Sequence, residues 1–236
     1  SATYLSSGGS GVWSRRLEEQ FASTDAVLTE ILPFLQKFPA ASYGVQVEER
    51  LTAALAEFEK LESFRKRTQT ARTTIEATAE YYTQTIRQLL DIASLVSSLA
   101  DDAEIKSQSI AYMSLLEIKE RAGLERAMGA KGYGAKAFDS LTHTEFVTLI
   151  GQQDSYMEVF RAYGSPEAVA FYDETVVGTQ VDDVEYWRDI AVEAGYDMLY
   201  DEITDIQWYD GITAKINLIT QVEDYVSKEL LATADG

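Results

Sequence analysis

Five cations sit where helical geometry turns side chains inward, and the chemistry such a set supports is the binding of a small anion. Stepping about 100° per residue along Ala103 to Ala130 gives an apolar arc of Tyr112, Leu115, Leu116, Gly123 and Ala127. Lys119 and Arg126 fall inside that arc, and Arg121 points the other way. Gly123 lies between the two cations, where its missing side chain leaves room for a small group or another backbone. On Val45 to Gln69, Arg65 shares the stripe of Leu51, Ala54, Leu55, Phe58 and Leu61, with Glu62 also inward. Arg188 shares a face with Val181, Val184, Ala191 and Val192, and Lys215 lies among Trp208, Ile212, Ile219, Val222 and Val226.

Lysine and arginine are almost never fully buried unless paired, because a buried charge without a counter-charge is costly. Two ways of neutralising these five stay open. Glu62, Glu120 and acids at bundle ends can pair with them, helped by long stems that reach water. Alternatively a bound oxyanion completes a set for which the inward acids look too few. The guanidinium carries its donors in one plane and can bond two oxygens at once, so Arg65, Arg126 and Arg188 suit a planar trigonal anion better than Lys215 does.

The elements that must position these residues are helices. Only three prolines occur, and the apolar residues of the long segments recur at helical rather than alternating spacing. The class expected is all-α, with about eight helices forming two four-helix bundles that share long members. The spacing predicts helices over Trp13 to Phe38, Val45 to Gln69, Thr73 to Ala100, Ala103 to Ala130, Thr144 to Tyr163, Pro166 to Val177, Val181 to Ala194 and Asp205 to Ala232. Ser165-Pro166-Glu167 reads as an N-cap with proline at the first helical position, and Gly164, Gly178 and Gly195 follow helix ends. Ser6 to Gly11 reads as a turn, and Lys131-Gly132-Tyr133-Gly134 as a flexible connection without phosphate-loop spacing.

Composition narrows the function classes. With 236 residues, 46% of them hydrophobic, the chain can bury a sizeable core as one domain, 1–236, in one or two helical lobes. It has no cysteine, so disulfides, thiol nucleophiles and cysteine-based zinc sites are excluded. Its 39 acidic against 20 basic residues give a net charge of −19, which points away from nucleic acid as a partner. Catalysis is not expected. His143, the single histidine, sits in a Thr-His-Thr-Glu setting that reads as helix capping, and the pairs Asp101-Asp102 and Asp182-Asp183 read as helix starts. No metal or cofactor is expected, and the tyrosines at 81, 82, 196, 200 and 209 read as packing or interface residues.

The run Lys119-Glu120-Arg121-Ala122-Gly123-Leu124-Glu125-Arg126-Ala127 resembles the signature of the NIT family, the nitrate- and nitrite-sensing domain of bacterial receptors and regulators. Supporting segments follow in family order: Ser1 to Leu5, Leu61 to Arg65, Tyr81-Tyr82-Thr83 with Leu89-Leu90, Gln152-Gln153 with Phe160, and Trp208 with Thr213 to Glu223. Lys215 stands where many members have arginine. The resemblance implies a non-catalytic sensor domain with nitrate or nitrite as ligand, a homodimer, and a fused or associated signalling output module. Arg65, Lys119, Arg126, Arg188 and Lys215 are its expected ligand contacts. The expected setting is the extracytoplasmic sensor region of a membrane receptor, with a cytoplasmic one as the alternative, and no nucleic acid is expected to be contacted by the domain. The rival reading is a NIT-like structural or interaction module with another ligand or a protein partner.

Overall fold

The computed structural model describes residues 1–6, 8, 9, 11–196, 198 and 200–235, apart from the side chains of Ala2 and Ser6. Ser7 and Ser10 of the expected turn thus lie outside the described residues. The all-α class is what is found. Helices α1 (Ala2–Ser6), α2 (Gly11–Lys37), α3 (Val45–Gln69) and α4 (Ile75–Ser98) are followed by α5 (Ala103–Ala135), α6 (Ser140–Tyr163), α7 (Pro166–Thr175), α8 (Thr179–Ala194) and α9 (Asp205–Asp235). A 3-10 turn, Ala40–Tyr43, joins α2 to α3, and no strand occurs among the described residues.

Local chemistry sets the helix ends. Asp102 caps α5 by accepting from the Glu104 and Ile105 amides at 2.8 and 3.0 Å, which satisfies donors that have no partner inside the helix. Asp139 caps α6 through the Thr142 amide at 2.8 Å, and Ser165 caps α7 through Ala168 at 3.0 Å with Pro166 at the first position. Gly178 and Gly195 take positive φ at the two ends of α8.

One expectation needs correcting: Lys131 to Gly134 is the last turn of α5 rather than a connection. Its glycine serves packing. A Cβ on Gly132 would fall 2.4 Å from the Phe138 ring, as one on Gly129 would fall 2.2 Å from Trp208 Nε1. The helix then stops at Lys136, in the left-handed conformation with φ 58°.

The chain divides into two compact units, Ser1–Val96 and Ser97–Gly236. In the first, Leu61, Phe64 and Tyr81 form one buried cluster, in which the Phe64 and Tyr81 rings stack at 4.2 Å. Ala40, Val47 and Leu51 form another. In the second unit α5 packs against both α6 and α9, with α7 and α8 also against α9. Its core falls into two apolar clusters, one around Tyr133, Phe138, Phe146, Val184, Trp208 and Ile212, the other around Leu115, Ile118, Phe160, Ile219 and Val222. Between the two clusters α5, α6 and α9 each bury a polar residue, Glu125, Gln153 and Lys215 respectively.

Candidate functional site

That polar layer contains two of the five sequence-predicted cations. Arg188, on the buried face of α8 with Val184 and Ala191, spends all its donors on neighbours. Its Nε and Nη2 donate to the two oxygens of Glu125 at 2.8 and 2.6 Å, Nη2 also to Gln153 Oε1 at 2.9 Å, and Nη1 to both oxygens of Glu185 at 3.1 and 3.2 Å. Gln153 Nε2 donates to Glu125 at 2.7 Å and to the Leu149 carbonyl at 3.0 Å. Lys215, in the buried stripe of α9, donates to Glu185. Two cations and two carboxylates therefore face each other at one level of the unit, three of them buried and Glu185 half exposed, and their charges cancel.

The charges shape one another. Burial pulls the Arg188 guanidinium down, but Glu125 and Glu185 outweigh it and hold the group above its ordinary value. Burial also pushes the Glu185 carboxyl up, and Arg188 with Lys215 more than reverses this. Lys215 is held below its ordinary value, first by burial and then by Arg188, against the attraction of Glu185 and Glu125.

Glu125 is the residue that sequence reasoning missed. It is fully buried, on a stripe of α5 that runs through Ala111, Leu115, Ile118, Ala122 and Gly129. The arc drawn from the sequence sits about one residue to the side of this stripe. Because α6 and α9 cover two sides of α5, the helix presents no single apolar face to periodicity. A stripe drawn through Ile118 and Ala122 would have reached Glu125. Glu62, expected inward, is exposed.

Arg126, one residue on, lies at the half-buried flank where α5 meets α9. Its Nη1 donates to the Thr213 hydroxyl at 2.9 Å, and its guanidinium carbon stands 4.8 Å from the centroid of the Tyr209 ring. The Arg126 carbonyl accepts from Trp208 Nε1 at 3.1 Å, a second contact between α5 and α9 at this level. No ion pair between described residues includes Arg126. A Cβ on Gly123, one turn back, would meet nothing within 4 Å. Lys119, a further turn back, pairs with Glu223 of α9, which also accepts from the Tyr112 hydroxyl at 3.5 Å. Burial and then Glu223 push Tyr112 up to about 12.

Arg65 belongs to the first unit. It pairs there with Asp25 of α2, and its guanidinium carbon lies 4.5 Å from the Phe21 ring centroid. Its Nε is buried without a hydrogen-bond partner among the described residues. The lone histidine is not a cap. His143 Nε2 lies 2.9 Å from the Ala191 carbonyl and ties α6 to the end of α8, while Asp139 does the capping. Among the tyrosines, Tyr81 and Tyr200 are core residues, and Tyr209 flanks Arg126.

The candidate site is thus a half-open arginine beside a glycine gap, on a helical frame whose other inward cations in the same unit already have carboxylates. The chain belongs to the NIT family, described as nitrate and nitrite sensing, whose model matches residues 1–231. It is 26% identical over 187 residues to the nitrate regulatory protein of Klebsiella oxytoca, covering 79% of this chain and 46% of that protein. It is also similar to the solved structure of the NasR transcription antiterminator, with a TM-score of 0.88 and 26% identity over 99% of this chain and 62% of that one. The chain therefore spans about half the length of the curated relative and less than two thirds of the solved one. The family is one of sensing, and both relatives are named as regulators rather than catalysts.

Two expectations are overturned by these likenesses. The exclusion of nucleic acid as a partner does not stand beside a transcription antiterminator matched over 99% of the chain. Net charge averages over a whole chain and is silent about the part of such a regulator that this chain does not cover. The expected extracytoplasmic sensor region of a membrane receptor is likewise not supported, because the proteins matched are a nitrate regulatory protein and a transcription antiterminator rather than a membrane receptor. No helix among the described residues is long and apolar enough to cross a membrane.

Proposed function

We propose that this chain binds nitrate or nitrite through Arg126 and passes occupancy to a transcription-regulating output by movement of α9. The observation that carries this reading is the state of Arg126: half-buried, on the family's central motif, without a carboxylate in ion-pair reach among the described residues, and beside the open space at Gly123. With Nη1 on Thr213, its Nε and Nη2 are left for two oxygens of a planar anion. The Thr213 hydroxyl, having accepted from Arg126, can donate its own proton to the same anion. The Tyr209 ring closes one side, and Lys119, its charge met by Glu223, ties α5 to α9 about two turns away. Arg65, with its free Nε, is a second candidate contact on its own account. Arg188 and Lys215 act through the helices they join, since their charges are already met.

No bond is made or broken. The ligand acts by binding one packing of the helices better than another, and a homodimer gives α9 a partner to move against.

The test is thermal denaturation in nitrate, nitrite, chloride and sulfate at matched ionic strength. A ligand at about 100 times its Kd stabilises the folded state by about 2.7 kcal/mol, or roughly 5–10 °C for a chain of this size. The expected result is such a shift with nitrate or nitrite alone, abolished in Arg126→Ala with the helical spectrum intact. Equal responses to all four anions would leave the structural module with another ligand, and a shift retained by Arg126→Ala would remove Arg126 from the site.

A further inference from the structure

Thr213 and Lys215 stand two residues apart on α9, and so about 200° apart around its axis. Each carries a polar tie to a different helix. Thr213 receives Arg126 of α5, and Lys215 reaches through the core to Glu185 of α8. We propose that the Lys215–Glu185 ion pair is a latch that holds α9 in the rotation of the unliganded sensor, and that an anion at Arg126 releases it by turning α9 about its own axis. This rests on the reading of Arg126 as the ligand contact and names the contact through which that site is regulated.

The ties of the polar layer are unequal, and the weaker one decides where it yields. Glu125 is fully buried, receives Arg188 at both oxygens, and is buttressed by Gln153. Lys215 has one carboxylate partner, Glu185, which it shares with Arg188 and whose side chain is 49% exposed, so water competes for it. When the layer gives, it gives at Lys215. Rotation of α9 needs no separation of helices, only the small shifts that packed helices make at interfaces. Turning α9 so that Thr213 and Tyr209 close on an anion at Arg126 carries Lys215, on the opposite side, along and off Glu185. The layer also makes the two rotations discrete. It lies between two apolar clusters, where a half-satisfied network is less stable than either a complete one or one whose lysine has reached water.

Electrostatics alone and the latch predict opposite signs for one variant. Lys215→Met removes the ammonium and keeps an unbranched stem. If Lys215 only adds positive potential, losing it weakens anion binding. If it holds the unliganded rotation, losing it raises the population of the binding form and tightens binding.

The experiment is calorimetric titration of sodium nitrate into the wild-type chain and Lys215→Met, with hydrogen exchange of both followed without ligand. Glu185→Gln, cut at a half-exposed position, serves as a second variant that spares the core. The latch predicts that Lys215→Met binds nitrate on the order of fivefold more tightly or better. It also predicts that both variants exchange faster along the middle of α9 with α5 and α6 unchanged. Unchanged or weaker nitrate binding by Lys215→Met, or faster exchange throughout the unit in both variants, overturns it. Failure of the wild-type chain to bind nitrate overturns the Arg126 reading instead. Exchange confined to α9 would still show that the Lys215–Glu185 pair restrains that helix, and uniform exchange would show that it does not.

Discussion

Glu125 and Arg126 are adjacent on α5 and about 100° apart around it, and they open onto different regions of the same unit. Glu125 enters a polar layer in which every donor of Arg188 is used and two cations meet two carboxylates. Arg126 faces a half-open flank with a hydroxyl, a ring and a gap, and no carboxylate in ion-pair reach among the described residues. Burial of a cation is therefore a poor guide to which cations still have donors to offer in this protein. The more buried arginine is the one already neutralised, and the one with a donor surface to offer lies half in water.

The sharpest way to break that comparison is to remove each arginine in turn. Arg188→Ala leaves Glu125 buried without its partner and should cost about 3–5 kcal/mol. Arg126→Ala loses a hydrogen bond to a hydroxyl and a ring contact, which amounts to about 1 kcal/mol. Urea unfolding of both variants measures the difference, and equal costs would mean that Arg126 is as much a structural cation as Arg188.

The glycines of α5 test the same contrast with a smaller effect. A Cβ on Gly129 falls 2.2 Å from Trp208 Nε1, whose indole bonds the Arg126 carbonyl, so Gly129→Ala should overpack the junction at about 1–3 kcal/mol. Gly123→Ala meets nothing within 4 Å and should gain the helix about 0.5–1 kcal/mol while narrowing the gap beside Arg126. A lower stability with intact nitrate response for the first, and the reverse for the second, is the pattern expected in thermal melts.

Most of the fold was legible because capping and helical spacing act locally. Asp102, Ser165-Pro166 and the glycines at 178 and 195 mark helix ends in the sequence as they do in the structure. The end of α5 was not legible, because Gly132 and Gly134 read as flexibility until Phe138 is seen packed against Gly132. For the site, the stripes on α8 and α9 placed Arg188 and Lys215 correctly in the core, each helix having one clear apolar face. On α5 the same method drifted. A helix covered on two sides buries Gln108, Ser109, Ser114 and Glu125 along with its apolar residues, so composition no longer separates inside from outside. Missing Glu125 is what made the inward acids look too few, and finding it leaves the anion argument standing on Arg126.

The smallest effect expected is on the acid side of the stability curve. Glu185 is pushed up by burial but held below its ordinary value of 4.5 by Arg188 and Lys215. A carboxyl lowered on folding stabilises fully above its unfolded value and loses that contribution as pH falls through the folded one. Wild-type stability should thus fall from about pH 4.5 downward more steeply than that of Glu185→Gln, by less than about 1 kcal/mol because Glu185 is half exposed. Asp139, held at about 2 by the Thr142 amide and hydroxyl with help from Lys131, likewise stabilises above its ordinary value of 3.8 and loses that contribution as pH falls toward 2, equally in the wild type and in Glu185→Gln. Arg126 has no carboxylate in ion-pair reach among the described residues, and Arg126→Ala should leave the acid limb as steep as in the wild type. An acid limb flattened by Arg126→Ala as it is by Glu185→Gln would mean that the flank and the layer titrate as one electrostatic unit, and an anion at Arg126 would then be felt in the layer by charge alone, without any turn of α9.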